Sequence, residues 1–259
     1  MNITIRQIFK YRTYLLWVAL CVFVFKPIWA ENLEIEASGF LEWNQENKSY
    51  IAKGDAIATQ GQRTIQADKL TAFYESEENR DITKIRALGS VKFNDASGSG
   101  YSDKLNYEIK TQTVTLEGNE NYFETEKFFA KSSDLIQFNE INGLLLLQQD
   151  AMISISKARK IEAQQLEVEL TEDGDVNTID ANGNVKLTEE VGRIAFSSSA
   201  FYDAESGNMT LSDTVEIFDG NNELRGDKAI INMQTGYSKI LAGGEKKRVT
   251  GKLIFGTSN

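Results

Sequence analysis

From residue 31 onward, apolar and polar side chains alternate at period two. The clearest runs are Leu105-Asn106-Tyr107-Glu108-Ile109, Val114-Thr115-Leu116 and Leu166-Glu167-Val168-Glu169-Leu170. This period predicts β-strands with one apolar and one polar face, and no sustained helical stripe competes with it. Turn residues punctuate the runs at Gly118-Asn119, Asp173-Gly174-Asp175, Asn182-Gly183-Asn184, Glu205-Ser206-Gly207-Asn208 and Asp219-Gly220-Asn221. Taken literally, the alternation places Leu33, Ile35, Val91, Phe93, Leu105, Tyr107, Ile109, Val114, Leu116, Leu166, Val168, Val185 and Leu187 on one side of a sheet. Such a face either fills with its own side chains or leaves a groove for an apolar ligand.

A longer period overlies the alternation. Ala67-Asp68-Lys69-Leu70 returns as Ser102-Asp103-Lys104-Leu105, Ser132-Ser133-Asp134-Leu135, Ala163-Gln164-Gln165-Leu166, Ser198-Ser199-Ala200-Phe201 and Gly226-Asp227-Lys228-Ala229. The fourth residues are spaced by 35, 30, 31, 35 and 28. A second element alternates with the first: Gly54-Asp55-Ala56-Ile57-Ala58, Gly89-Ser90-Val91-Lys92-Phe93 and Gly183-Asn184-Val185-Lys186-Leu187. About six strand units stacked on one continuous core account for such a period. No linker or charge block separates the copies, so residues 31–255 read as a single elongated all-β domain followed by a short tail, 256–259.

Composition narrows the function. The 259 residues hold 28 Lys+Arg against 38 Asp+Glu, and four of the positives (Arg6, Lys10, Arg12, Lys26) lie in the first 30 residues, where there is no acid. The remainder is strongly acidic, which argues against nucleic acid as a partner. Histidine is absent, and the only cysteine (Cys21) and only proline (Pro27) also lie in the first 30 residues. Imidazole-based catalysis, thiolate chemistry, disulfides and zinc sites are excluded from the rest. The positive start, the apolar run Tyr14 to Phe25 and Ala30 before Glu31 read as a signal peptide over residues 1–30, since a membrane span needs roughly 20 apolar residues. An uncleaved anchor is the alternative. The periplasm is the expected destination. With no proline in the mature strands, the ends of the sheet are candidates for end-to-end strand addition, the alternative being end strands that are short or covered by Lys and Glu.

Little in the chain points to catalysis. Asp68, Asp103 and Asp227 recur, but in separate units, so no two need converge, and turn or strand-edge roles are expected of them. The loop at Asp173-Gly174-Asp175-Val176-Asn177 begins like a calcium loop. It has Thr178 where the turn needs Gly and Asn184 where the bidentate Glu belongs, and it reads as a hairpin loop. No cofactor and no metal are expected, and the chain is read as a non-enzyme.

The order of short motifs resembles a known family. Gly54-Asp55-Ala56-Ile57-Ala58-Thr59-Gln60-Gly61, Ile65-Gln66-Ala67-Asp68-Lys69-Leu70, Gly89-Ser90-Val91-Lys92-Phe93 and Ser102-Asp103-Lys104-Leu105-Asn106-Tyr107-Glu108 are similar to the opening of the LptA/OstA periplasmic lipopolysaccharide-transport bridge proteins. Leu224-Arg225-Gly226-Asp227-Lys228-Ala229, Met233-Gln234-Thr235-Gly236-Tyr237-Ser238-Lys239 and Lys247-Arg248-Val249 are similar to the family's close. Residues 121–211 look like additional repeats. The resemblance implies a twisted β-jellyroll, V-shaped in section, that holds acyl chains inside. Implied partners are lipopolysaccharide through its lipid A moiety, an inner-membrane export transporter with its anchored periplasmic component, an outer-membrane translocon, and further copies head to tail. Implied lipid contacts fall on Leu33, Ile35, Phe93 and Tyr107; with Val91, Leu105 and Leu116 from the inward face they make the candidate groove. The lipid's phosphates and sugars are expected outside the groove, near Lys69, Lys104 or solvent cations. The rival readings are the membrane-anchored partner of the same system, a packed structural scaffold, and a β-solenoid enzyme using repeated aspartates.

Overall fold

Most strands in this protein are about twice as long as one layer needs, and each bends in the middle. The computed structural model describes residues 32–155, 159–190, 192–244 and 247–254. Its first strands are β1 (Glu34–Glu36), β2 (Phe40–Asn44), β3 (Ser49–Gln60), β4 (Arg63–Tyr74), β5 (Ile82–Asn94) and β6 (Ser99–Glu108). The middle holds β7 (Thr113–Glu117), β8 (Asn121–Glu124), β9 (Phe128–Ser132), β10 (Leu135–Asn139), β11 (Leu144–Ile155) and β12 (Arg159–Leu170). The last are β13 (Val176–Glu189), β14 (Ile194–Asp203), β15 (Asn208–Asp219), β16 (Asn222–Asn232), β17 (Ser238–Leu241) and β18 (Thr250–Lys252). The expected signal segment and the tail at 256–259 lie outside the described residues.

All eighteen strands belong to one sheet, paired antiparallel to their neighbours. Register breaks fall at matching places: between Lys53 and Ala56, Gln66 and Lys69, Leu88 and Val91, Gln148 and Ala151, Asn182 and Val185, and Ser212 and Val215. These bulges align into a corner that folds the sheet into two arms. The short strands are halves of the same device. β2 pairs with the first half of β3 and β1 with its second half. β7 and β8, β9 and β10, and β17 and β18 divide likewise between the arms. Counting each such pair as one bent strand turns eighteen strands into fourteen. The first arm contains β2, β7, β10 and β17; the second contains β1, β8, β9 and β18.

The corner explains the glycine element seen in the sequence. Two consecutive residues adopt left-handed backbone at Gly54-Asp55, Gly89-Ser90 and Gly183-Asn184. The conformation turns the strand and returns Ala56, Val91 and Val185 to the interior, where each is buried. The aspartate of the other element sits under the next corner. A Cβ on Gly89 would stand 2.2 Å from Asp68 Oδ2, and one on Gly118 2.6 Å from Asp103 Oδ2. Glycine is required there by both dihedral and space. The same corner is also made without glycine, at Gln149-Asp150 and Asp213-Thr214.

The apolar faces of the two arms meet in one core. Phe123 on β8 and Phe138 on β10 belong to opposite arms, and their rings stack 5.6 Å apart between centroids. Leu70, Leu105, Leu166 and Ala229 of the repeated element are fully buried. Two copies differ by one position. Ile136 pairs with Leu116 and is buried, whereas Leu135 is not, and Phe201 is 46% exposed beside buried Ala200. Because strands alternate faces, a single-residue change at a corner flips every following side chain. The all-β jellyroll expected from the sequence is otherwise the fold observed. Asp173-Gly174-Asp175 is the hairpin loop between β12 and β13, closed by the Asp175 and Gly174 N–H groups donating to the Oγ1 and carbonyl of Thr171.

Candidate functional site

One hydrophobic cluster runs between the arms, with a few buried polar side chains such as Ser102, Asn121 and Ser132 among it. Alanines take many inward positions, among them Ala52, Ala56, Ala67, Ala87, Ala130 and Ala181, and bring the arms close together. Of the seven groove candidates, Val91 and Phe93 lie on the second arm, and Leu105, Tyr107 and Leu116 on the first. All five are at most 5% exposed. Leu105 pairs with Leu116, and Tyr107 with Val114, so these form one patch. Phe93 is opposite Gly100 and Ile65, in the facing layer.

Leu33 and Ile35 are placed differently. They are half-buried and line an open cleft of about 370 Å³ at the N-terminal edge, with Leu41, Trp43, Tyr50 and Ile82. Leu41 and Trp43 occupy inward positions on β2, yet Leu41 is 63% exposed because no strand among the described residues lies beyond it. An aromatic wall stiffens this edge. Trp43 stacks on Tyr50 at 6.2 Å, Tyr50 leans on Tyr74 at 5.5 Å, and Trp43 Nε1 donates to the Tyr74 hydroxyl at 3.2 Å. The Arg80 guanidinium lies 4.4 Å from the Trp43 ring. The structure therefore divides the candidate set, with two residues at an open port and five in a closed interior.

Opposite the corner, the free tips of the two arms form a mouth. Arg63 opens β4 at the tip of the second arm, two residues before buried Ile65, and so shares its inward direction. Its guanidinium donates to Asp95 at 2.9 Å and, across the mouth, to Glu140 after β10 at 2.7 Å. It also lies over Tyr107 of the first arm at 4.5 Å and near Phe93 at 5.7 Å. Burial works against the Arg63 charge, but Glu140, Tyr107 and Asp95 together hold its pKa above the ordinary value. Burial pushes the Glu140 carboxyl up, only partly opposed by Arg63. It also raises the Tyr107 phenol, again against Arg63.

Sequence reasoning missed Arg63. The signal was available in the parity of Arg63-Thr64-Ile65, but its partner Glu140 is 77 residues away. Lys69 and Lys104, expected near lipid phosphates, flank the corner on the outer face, away from the mouth. The recurrent aspartates also stay at the corner. Asp103 accepts from the Asn119 N–H, and Asp227 accepts from the Gly243 N–H and from Lys247 Nζ, which holds the Asp227 carboxyl below its ordinary range.

No curated protein matches the chain. Among solved structures, the chain is similar to LptH, the LptA homologous periplasmic component of the lipopolysaccharide transport device of Pseudomonas aeruginosa. The identity is 10% and the TM-score 0.22, over 86% of this chain and 96% of that one. The family model described as LptA/(LptD N-terminal domain) LPS transport protein matches residues 34–143 and 153–237. That is most of the bent-strand sheet, including six of the seven groove candidates, and the chain belongs to the LptA/LptD N-terminal domain family of lipopolysaccharide transport proteins.

Proposed function

We propose that this protein binds lipopolysaccharide in the periplasm and passes it from the inner toward the outer membrane, with acyl chains held between the two arms. The observation that carries this reading is the single continuous hydrophobic core between the arms, which opens at one edge through Leu33, Ile35, Leu41 and Trp43. Each buried methylene contributes about 0.8 kcal/mol, so releasing one twelve-carbon chain into water costs roughly 10 kcal/mol. A continuous apolar path across stacked copies avoids that cost, because leaving one site means entering the next. Such transfer needs no reaction at the protein and no nucleotide.

The two edges of the sheet fit a head-to-tail stack. Among the described residues, β1–β2 pair only with β3 and β17–β18 only with β16, and both edges expose apolar side chains: Phe40, Leu41 and Trp43 at one, Val249, Leu253 and Ile254 at the other. Charge is complementary, with Glu34, Glu36 and Glu42 at the first edge and Lys239, Lys247, Arg248 and Lys252 at the second. The inner-membrane export transporter with its anchored component and the outer-membrane translocon would then cap the two ends of the stack.

The test is binding of fluorescent lipopolysaccharide to the protein and to Ile35→Asp and Leu41→Asp, both at the open port rather than in the packed interior. Saturable binding that both variants weaken at least about tenfold is expected, since a charge in a lipid contact opposes burial by more than 1.4 kcal/mol. No binding by the unmodified protein would overturn the reading in favour of a packed scaffold.

A further inference from the structure

Among the described residues, the mouth is bridged by a row of four cations, all on the second arm. Arg63 reaches Glu140, Lys127 in the β8–β9 turn reaches Asp175 at 2.9 Å, Arg159 donates to the Met233 carbonyl at 2.6 Å, and Arg193 donates to the Gly236 carbonyl at 3.0 Å and Ser238 Oγ at 2.9 Å. Their acceptors all belong to tips or turns of the first arm. Lys127 is half exposed, and Arg193 is enclosed and paired with Glu189 on its own arm. Arg63 alone also packs over interior rings, Tyr107 on the far arm and Phe93 on its own. It is the bridge nearest the open N-terminal port, since β1, β2 and β3 carry none of the four.

We propose that Arg63 is the latch of the mouth, and that an incoming amphiphile with a phosphate headgroup opens it by taking the place of Glu140 on the guanidinium. Three features of the geometry support this. The Arg63 Nε is buried and donates to nothing, so the fork retains a donor for an added anionic oxygen. Asp95 is held by its own turn, accepting from the Ser97 and Gly98 N–H groups and the Ser97 hydroxyl, so it anchors Arg63 to the second arm whatever happens across the mouth. Glu140 is bound by no comparable turn: among the contacts of its side chain, Arg63 is the partner, and on release the carboxylate turns to water from the tip of β10. Exchange of one anion for another on Arg63 therefore unties the first arm while the second keeps its cation, placed beside Phe93 and Tyr107 where the acyl chains are to enter. Burial of the Glu140 carboxylate makes that exchange easier than at an exposed pair. This rests on the reading above that the interior holds lipid.

The experiment measures the width of the mouth. Spin labels go on Ala96→Cys, at the tip of the second arm, and on exposed Ile141→Cys, at the tip of the first, with Cys21→Ser in the full-length sequence. The distance distribution is expected to be narrow without lipid and to move to longer distance with lipopolysaccharide, but not with the same lipid stripped of phosphate. Arg63→Met keeps length over Tyr107 but leaves Glu140 as an unpaired buried charge, so it is expected to be wide without lipid. Arg63→Met with Glu140→Gln removes both charges and should return to the narrow distribution, which a mere folding defect at Arg63 would not do. An Arg63→Met distribution as narrow as the unmodified one, or one that the double variant does not narrow, would overturn the latch. So would unchanged distance when bound lipopolysaccharide saturates the protein. If no lipid binds at all, the transport reading fails, while the comparison between single and double variants still decides the latch.

Discussion

Along the corner the two arms are joined by peptide backbone in nearly every strand; along the mouth they are joined by side chains reaching across. The corner is built from left-handed residue pairs, glycines with no room for a Cβ, and aspartates seated beneath them. The mouth is built from four cations whose bonds span it, two of them ionic. Side-chain bonds of this kind can be exchanged one at a time, whereas opening the corner means unpairing strands along its length. The difference assigns roles within the sheet: the corner acts as a hinge that preserves register, and the mouth is the side where the interior can be reached without unfolding.

The sharpest way to break the comparison is at the hinge. Gly89 has φ of +82°, and a Cβ there would lie 2.8 Å from Asp68 Cγ and 3.0 Å from its Cβ. Gly89→Ala should lower stability by about 2–3 kcal/mol, combining the left-handed penalty with displacement of Asp68. Urea unfolding checks this, and Gly89→Ala with Asp68→Ala should regain part of the loss but not all. If Gly89→Ala is neutral, the corner tolerates side chains and its glycines do not hold the register.

How far the chain could be read beforehand follows the same division. Alternation made the strands and the inward set legible, because a strand's period is fixed by covalent geometry and survives any tertiary context. Val91, Phe93, Leu105, Tyr107 and Leu116 are therefore all buried as the pattern requires. Glycine-marked corners were legible too, as a repeated element whose role was not. Corners without glycine were not visible, and an uneven corner put Leu135 and Phe201 where Ile136 and Ala200 belong. The mouth was hidden for another reason. Its bonds join residues 77 and 48 apart whose neighbourhood exists only once the sheet has folded, and an arginine beside a turn looks like any solvated charge.

A smaller effect sharpens the account of the corner. Thr214 has φ of +57° although it is β-branched, the residue type least suited to left-handed backbone, and its side chain is exposed. Thr214→Gly should raise stability by about 0.5 kcal/mol, as relief of about 1–2 kcal/mol of backbone strain is offset by the entropy of glycine in the unfolded chain. A rise in the urea midpoint with unchanged slope is the expected result. A fall would mean that the Thr214 side chain stabilises the corner by contacts that outweigh its dihedral.

The smallest effect belongs to the mouth, at Glu140, where burial and Arg63 oppose each other. Burial prevails and the folded pKa stands above the ordinary 4.5. A carboxyl with a raised folded pKa takes its proton more readily folded than unfolded, so its contribution to stability is fully present below about 4.5 and is lost as pH rises through the folded value. Asp227 has the reverse sign: the bonds from Lys247 and the Gly243 N–H lower its pKa, and its contribution, present above 3.8, is lost as pH falls through its folded value. Total stability against pH mixes these, so the informative quantity is the difference between Glu140→Gln and the unmodified protein. Glu140→Gln should be the more stable of the two at neutral pH, and the two should converge as pH falls toward 4.5. A variant less stable at neutral pH would mean that the pairing with Arg63 outweighs the burial of the carboxylate. The mouth would then be held shut by its ion pair, and its contrast with the corner would disappear.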